Sequence, residues 1–201
     1  SHALDIIDLP GIYSLSTSSV DEQVTRDFIL HEKPDLIVNI VEASNLERNL
    51  YLTVQLIEMR VPVIVVLNKM DVLKQKNIKI KIDTLSRLLD VPVVCMVANR
   101  AQGIDDLRSY LHANIGEHHV SAARIYFSDE VESAIGAITD GFSLLGMDID
   151  HDRRWTAVKL LEGDVLLKHK KKYGFMRESI EREKKRVEEI LGEDVDISIA
   201  E

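Results

Sequence analysis

The sequence predicts a doubly wound α/β domain followed by a small all-helical domain. Three observations carry this. Apolar, β-branched runs at residues 4–7, 36–41, 61–67 and 91–97 are continuous rather than alternating, the pattern of parallel strands covered on both faces. Helical periodicities separate these runs, as the crossovers of a parallel sheet require. Beyond Ser128 strand signals cease, and apolar residues recur only at helical spacing. Residues 1–116 are therefore read as the α/β domain, 117–127 as a linker and 128–201 as the helical domain.

Taken in order, run 4–7 is a strand leading into Asp8. From Glu22, residues Val24, Phe28 and Ile29 fall on one helical face; after Asn45, residues Leu46, Leu50, Val54 and Ile57 do the same. Residues 84–89 and 104–111 give two shorter helices. Gly103 opens the second, and Asp105 and Asp106 lie in its first turn, where carboxylates favour the helix dipole. In the helical part, Val131, Ile135, Ile138, Phe142 and Leu145 form one stripe. A second helix covers 154–161, and a third covers 175–191 with Met176, Ile180, Val187 and Ile190 aligned. Trp155 reads as a core anchor and Cys95, inside an apolar run, as a packed thiol. His118 and His119 read as surface linker, since adjacent side chains of an extended loop point apart. The basic cluster Lys168, Lys170, Lys171 and Lys172 reads as a solvated loop, with a membrane-surface or partner contact as the alternative.

Composition excludes whole classes of function. Asp and Glu total 34 against 25 Lys and Arg, a formal charge of -9, so nucleic acid is not the expected partner. One cysteine allows no internal disulfide and builds no zinc site alone. The longest apolar run, 61–67, falls far short of the roughly 20 residues that span a bilayer. The chain is expected to be soluble, and Ser1-His2 resembles a remnant of tag cleavage.

The most informative motif is Asn68-Lys69-Met70-Asp71, at the carboxyl end of the run 61–67. Open α/β sheets bind ligands at that edge. An aspartate there can accept the ring N1 proton and the exocyclic amine of guanine, a donor pattern adenine does not present. Asp71 would thus choose guanine, Asn68 would brace neighbouring loops, and the Lys69 stem would cover the base with its ammonium in water. Asp8-Leu9-Pro10-Gly11 supplies the complement 60 positions earlier. Asp8 can hold magnesium through a water, and the Gly11 amide can approach a terminal phosphate. A third loop, Val97-Ala98-Asn99-Arg100, follows the next strand. It resembles the Ser-Ala-Lys loop of GTPases, whose backbone amide reads the guanine oxygen; Ala98 matches, and Val97 stands where serine is usual.

The sequence resembles the cytosolic G domain and helical spacer domain of the ferrous iron transport protein B (FeoB) family. The carriers are Asp8-Leu9-Pro10-Gly11-Ile12-Tyr13-Ser14-Leu15, the more restrictive Asn45-Leu46-Glu47-Arg48-Asn49-Leu50-Tyr51-Leu52-Thr53 with Gln55-Leu56, and Arg154-Trp155 with Leu160-Leu161-Glu162-Gly163-Asp164. The resemblance implies a Ras-like G domain, beginning here at switch II, that binds GTP or GDP with Mg2+. Its guanine site would be Asn68, Lys69, Asp71, Val97, Ala98 and Asn99, and its phosphate and magnesium segment Asp8, Leu9, Pro10 and Gly11. It further implies a place at the cytoplasmic face of the inner membrane, a membrane-embedded part of the same polypeptide as partner, and a helical domain that modulates nucleotide release. Homo-oligomerisation stays open. The rival expectation is a nucleotide-free scaffold that contacts protein partners.

Two departures qualify these expectations. None of the nine glycines is followed by Lys and then Ser or Thr, so no Walker A cradle is present, and the switch I threonine is absent as well. In the family's fold a strand would lie between run 4–7 and run 36–41, and its loss opens about 9 to 10 Å of sheet. About fifty further residues are accordingly expected ahead of Ala3, with a neighbouring chain in the gap as the alternative. The second departure is Ile12, which stands where small GTPases place a water-orienting glutamine, so hydrolysis is expected to be slow. The 201-residue chain alone is expected to be inactive. It should bind GTP at least about 1000-fold more weakly than a protein carrying a Walker A segment, because several charge-assisted contacts are missing. Calorimetry checks this: a micromolar Kd for these 201 residues alone would overturn it.

Overall fold

The computed structural model describes residues 4–15, 19–114, 116, 119–149, 152–164, 167 and 169–200. His118 and Lys168 of the sequence reading lie outside them. The chain divides into two compact units, residues 1–123 and 124–201.

The first unit is built on a parallel sheet of order β1-β2-β3, with β1 Ile37–Glu42, β2 Val63–Asn68 and β3 Val93–Cys95. Register runs from Ile37 opposite Val63 to Glu42 opposite Asn68, and from Val65 opposite Val93 to Leu67 opposite Cys95. Central β2 is buried from Val63 through Leu67, as its unbroken β-branched run requires. Five helices flank the sheet in sequence: α1 Val20–Glu32, α2 Leu46–Glu58, α3 Met70–Gln75, α4 Ile82–Leu89 and α5 Ile104–Ala113. Helix α1 starts at a complete capping box, in which Ser19 Oγ accepts the Glu22 amide and the Glu22 carboxylate accepts the Ser19 amide. The α/β class and the helical class after it are both as the sequence predicts.

Several local expectations are corrected. Residues 4–7 form no strand: Leu4 is 45%, Ile6 85% and Ile7 60% exposed. An apolar run becomes a strand only where a neighbour takes its backbone N–H and C=O groups, and among the described residues none pairs with this one. Helix α1 buries Thr25, Arg26, Ile29 and Leu30 while Val24 is exposed. Its inward face thus carries polar as well as apolar residues, and the Thr25 hydroxyl on it donates to Pro10 O at 3.4 Å. Strand β3 is shorter than the run 91–97. It pairs only over 93–95; Met96 N–H makes the last bond to β2, at Leu67 O, and Val97 turns away to bridge Gln102.

The second unit contains α6 Asp129–Leu144, α7 Arg153–Leu161, a 3-10 turn Lys171–Met176, α8 Arg177–Leu191 and α9 Val195–Ala200. Its core is Val131, Ile135, Ile138, Phe142, Trp155, Leu161, Tyr173 and Val187. Leu145 and Ile190, assigned above to buried stripes, are exposed, and Phe175 lies in the 3-10 turn rather than in a helix. Leu145 closes α6 as its C-cap, where the chain leaves the helical face.

Arg154 organises this unit's entrance. Its guanidinium donates to both oxygens of Glu132, each at 2.6 Å, and to Ile125 O at 2.8 Å. Bonding to Arg154, the largest influence on it, holds the Glu132 carboxyl below its ordinary range. A depressed folded-state pKa contributes stability that is present above the unfolded value and lost as pH falls through the folded one. Glu132→Gln should therefore cost about 1–3 kcal/mol at neutral pH, and its deficit should shrink below about pH 4.3. Urea unfolding followed by Trp155 fluorescence at several pH values checks this; a deficit independent of pH would show that the carboxylate's charge is not what stabilises.

Candidate functional site

The site grows from the carboxyl end of β2. Asn68 closes the strand, and Lys69 takes a left-handed conformation (φ 61°) to launch α3. The Asn68 carboxamide oxygen accepts two backbone N–H groups, from Lys69 at 2.8 Å and from Ala98 at 3.0 Å. Met70 N–H reaches Met96 O at 3.3 Å, and Met96 N–H reaches Leu67 O at 2.8 Å. The turn after β2 and the loop after β3 are thus one bonded structure.

The second loop is closed on itself. Val97 and Gln102 exchange backbone bonds of 3.0 and 3.3 Å around a 3-10 turn, Ala98–Arg100, and Ala101 follows with φ 55°. Val97 is buried whereas Ala98 and Asn99 are exposed. The valine in the serine position therefore holds its loop by packing and by the Gln102 bridge. Gly103 then turns the chain into α5 at φ +82°, and a Cβ there would fall 2.1 Å from Cys95 O. Only glycine lets this loop lie so close to β3. Cys95 is half-buried, and burial raises its thiol pKa, which suits a packed, unreactive side chain.

Asp71 lies in the first turn of α3 with its side chain 22% exposed, and Arg100 Nη2 stands 3.7 Å from its Oδ2. Lys69 Nζ pairs at 2.9 Å with Glu42 Oε2, at the end of β1 opposite Asn68 in register. Glu42 also accepts from Ser44 Oγ at 2.7 Å. The Lys69 bond, followed by the Ser44 bond, lowers the Glu42 pKa. The Lys69 ammonium is thus tethered rather than simply hydrated. Glu42 was missed in the sequence, where 26 positions separate it from Asn68; only the strand register brings them together.

Asp8, Leu9, Pro10 and Gly11 lie on an irregular segment, with Asp8 and Gly11 exposed. It is anchored downstream. Leu15 is buried and its N–H donates to Gln55 Oε1 at 2.6 Å, Ser14 Oγ donates to Glu22 Oε1 at 2.7 Å, and the Arg48 guanidinium lies 3.9 Å over the Tyr13 ring. Gln55, Arg48 and Glu22 are the positioning residues that motif reading did not assign. Among the described residues no hydrogen bond or ion pair joins Asp8–Gly11 to the Asn68 cluster, and no group of three or more His, Cys, Asp or Glu is placed to hold a metal.

A family model described as ferrous iron transport protein B matches residues 1–111, and one described as the FeoB cytosolic helical domain matches residues 127–201. The Fe(2+) transporter FeoB of Escherichia coli (strain K12) is 38% identical over 169 residues, covering 82% of this chain and 21% of that protein. The protein of the same description from Salmonella typhimurium is 37% identical over 168 residues, again 82% of this chain and 21% of its own length. The chain therefore spans about a fifth of the length of these curated relatives. Among solved structures, mGMPPNP-bound NFeoB from S. thermophilus superposes with a TM-score of 0.80 at 39% identity, covering 96% of this chain and 72% of that one. NFeoB from S. thermophilus bound to GDP, AlF4- and K+ gives 0.81 at 37% identity, over 96% and 74%.

The two bonds at Asn68 Oδ1 set a measurable expectation. Asn68→Ala should speed hydrogen exchange of the Lys69 and Ala98 amides by about tenfold while leaving Val65, in the buried ladder, unchanged. Exchange followed residue by residue by NMR checks this; uniform acceleration would mean that the residue supports the sheet rather than the loops.

Proposed function

This chain belongs to the FeoB family of ferrous iron transport proteins, and from that premise we propose that its first unit binds a guanine nucleotide as the regulatory module of a ferrous iron transporter. The observation that carries the reading is the Asn68 carboxamide, whose one oxygen joins the loop bearing Asp71 to the loop bearing Ala98. A base lying between these loops would meet an acceptor on one side and a backbone donor on the other. The Asp71 carboxylate takes the N1 and N2 protons of guanine, the Ala98 and Asn99 backbone serves its O6, and the Lys69 stem lies along its face. Arg100 must yield part of its hold on Asp71 when the base arrives. The relatives solved with mGMPPNP and with GDP and AlF4- support guanine as the base.

Asp8 and Gly11 serve the phosphate end. A Cβ added at Gly11 would meet nothing within 4 Å, so phosphate oxygens have room to approach its amide. Magnesium characteristically keeps several waters and takes one or two carboxylates plus phosphate oxygens. The single exposed carboxylate of Asp8 fits that habit without a dedicated protein cage. A bound magnesium would neutralise charge on the phosphates. Ile12 offers no group to orient water, so turnover in the parent protein is slow. The match of the helical unit to a cytosolic domain supports a location for the module at the cytoplasmic face, beside a membrane-embedded part of the same polypeptide. Among the described residues no helix is long and apolar enough to cross a membrane.

In the full-length protein, Asp71→Asn should weaken GDP by about 2–4 kcal/mol, since a charge-assisted pair is lost and a donor faces a donor. Xanthine nucleotides should gain relative to guanine. Titration calorimetry with both bases checks this, and equal GDP affinity in variant and parent would remove the guanine site.

A further inference from the structure

The Asp71 carboxylate has a cation beside it. Arg100 Nη2 stands 3.7 Å from Asp71 Oδ2, with the arginine side chain 59% exposed and the aspartate 22%. Lys69, next but one to Asp71 in the chain, is engaged elsewhere, its ammonium 2.9 Å from Glu42 Oε2. The Arg100 backbone is fixed. Its N–H donates to Val97 O at 2.9 Å and Ala101 N–H to Ala98 O at 3.1 Å, inside the loop that Val97 and Gln102 close. The half-exposed side chain can therefore leave Asp71 by rotating about its own bonds, with no rearrangement of the loop that carries the Ala98 amide.

Arginine and guanine are chemically alike at the edge a carboxylate reads. Guanine N1, C2 and the exocyclic N2 form a guanidine fragment that points two parallel N–H donors outward, and the arginine head presents the same fork. We infer that Arg100 is a built-in competitor for guanine: it occupies the carboxylate that reads the base, so a guanine nucleotide binds Asp71 only by displacing it. This rests on the guanine reading of Asp71 proposed above and adds to it a residue that sets affinity. The affinity measured against such a competitor is the intrinsic one reduced by the fraction of molecules in which Asp71 is uncovered. An exposed ion pair shifts that fraction only a few-fold, so the device tunes binding without abolishing it. Removing Arg100 should therefore tighten guanine binding, the opposite of what losing a base-contacting or loop-supporting residue does.

Titration calorimetry of GDP with the full-length protein tests this. Arg100→Ala should bind GDP about two- to fivefold more tightly than the parent, and Arg100→Gln, which keeps a donor without the charge, should fall between them. The gain should shrink as salt rises toward 1 M, where the Debye length is about 3 Å. In an Asp71→Asn background Arg100→Ala should give no gain, because no carboxylate is left to compete for. If Asp71→Asn weakens GDP while Arg100→Ala leaves it unchanged or weaker, the competitor is overturned and the guanine site stands. If Asp71→Asn leaves GDP unchanged, the guanine reading fails and takes the competitor with it. A gain from Arg100→Ala that persists beside Asp71→Asn, or that ignores salt, would also overturn the proposal.

Discussion

One side-chain carbonyl oxygen does much of the joining on which the proposed base site depends. Asn68 Oδ1 accepts from Lys69 and from Ala98, residues that leave two different strands and are otherwise tied only through the backbone bond from Met70 N–H to Met96 O. A carboxamide oxygen has two acceptor directions, and both are used. An aspartate in the same place would add a charge at the mouth of the site, and a serine would be too short to span the loops. The Asn68 side chain also depends on where β2 ends, and that is set by the Glu42–Asn68 register. The chain of dependence therefore runs from strand pairing, through one side chain, to the relative position of the Asp71 and Ala98 loops.

Buried polar residues do similar work for the irregular segment that ends at Leu15. Helix α2 buries Thr53 and Gln55 beside Leu56 and Ile57. Gln55 receives the Leu15 amide, and Thr53 receives the Asn39 side chain at 2.8 Å across to β1. Each buried polar group is placed to accept from a different part of the chain, so neither is replaceable by an aliphatic residue of similar size without orphaning a donor. This gives a physical account of why the string from Asn45 to Leu56 is so restrictive. Several of its positions satisfy partners outside the helix, and Arg48 covers Tyr13 as well.

The parts of this architecture that were legible in the sequence are those determined locally. Continuous β-branched runs announced β1, β2 and β3; Asn68, Lys69 and Asp71 marked the turn from a strand's carboxyl end into a helix; Gly103 announced a helix entry. What escaped was set by pairing at a distance. Run 4–7 carries a strand's composition but lacks a ladder partner among the described residues. Val24 satisfies the apolar periodicity of α1, yet it faces water while the adjoining Thr25 and Arg26 are buried. Glu42 holds Lys69 only because register sets β1 beside β2. The 3-10 turn at Lys171–Met176 has neither helical nor strand period, so its placement of Phe175 could not be read from pattern.

Helix α7 shows how a short element can organise a domain without an amphipathic signal. Trp155 through Leu161 are all buried, including Thr156 and Lys159. A helix buried on every side has no polar face for periodicity to detect, and its polar residues must find partners close by. They do: Thr156 Oγ1 donates to Asp152 O at 2.8 Å, Asp152 caps the helix through the Trp155 amide at 2.9 Å, and Lys159 pairs with Glu162 at 2.6 Å. The last pair is informative because a buried ammonium costs several kcal/mol unless its charge is matched. Placing Glu162 at the C-cap, three positions on, supplies the match within one turn, so Lys159 needs no carboxylate from a neighbouring helix. Arg154, next to Trp155 in the same helix, turns instead to Glu132 of α6, so α7 matches one cation within its own last turn and the other across to its neighbour.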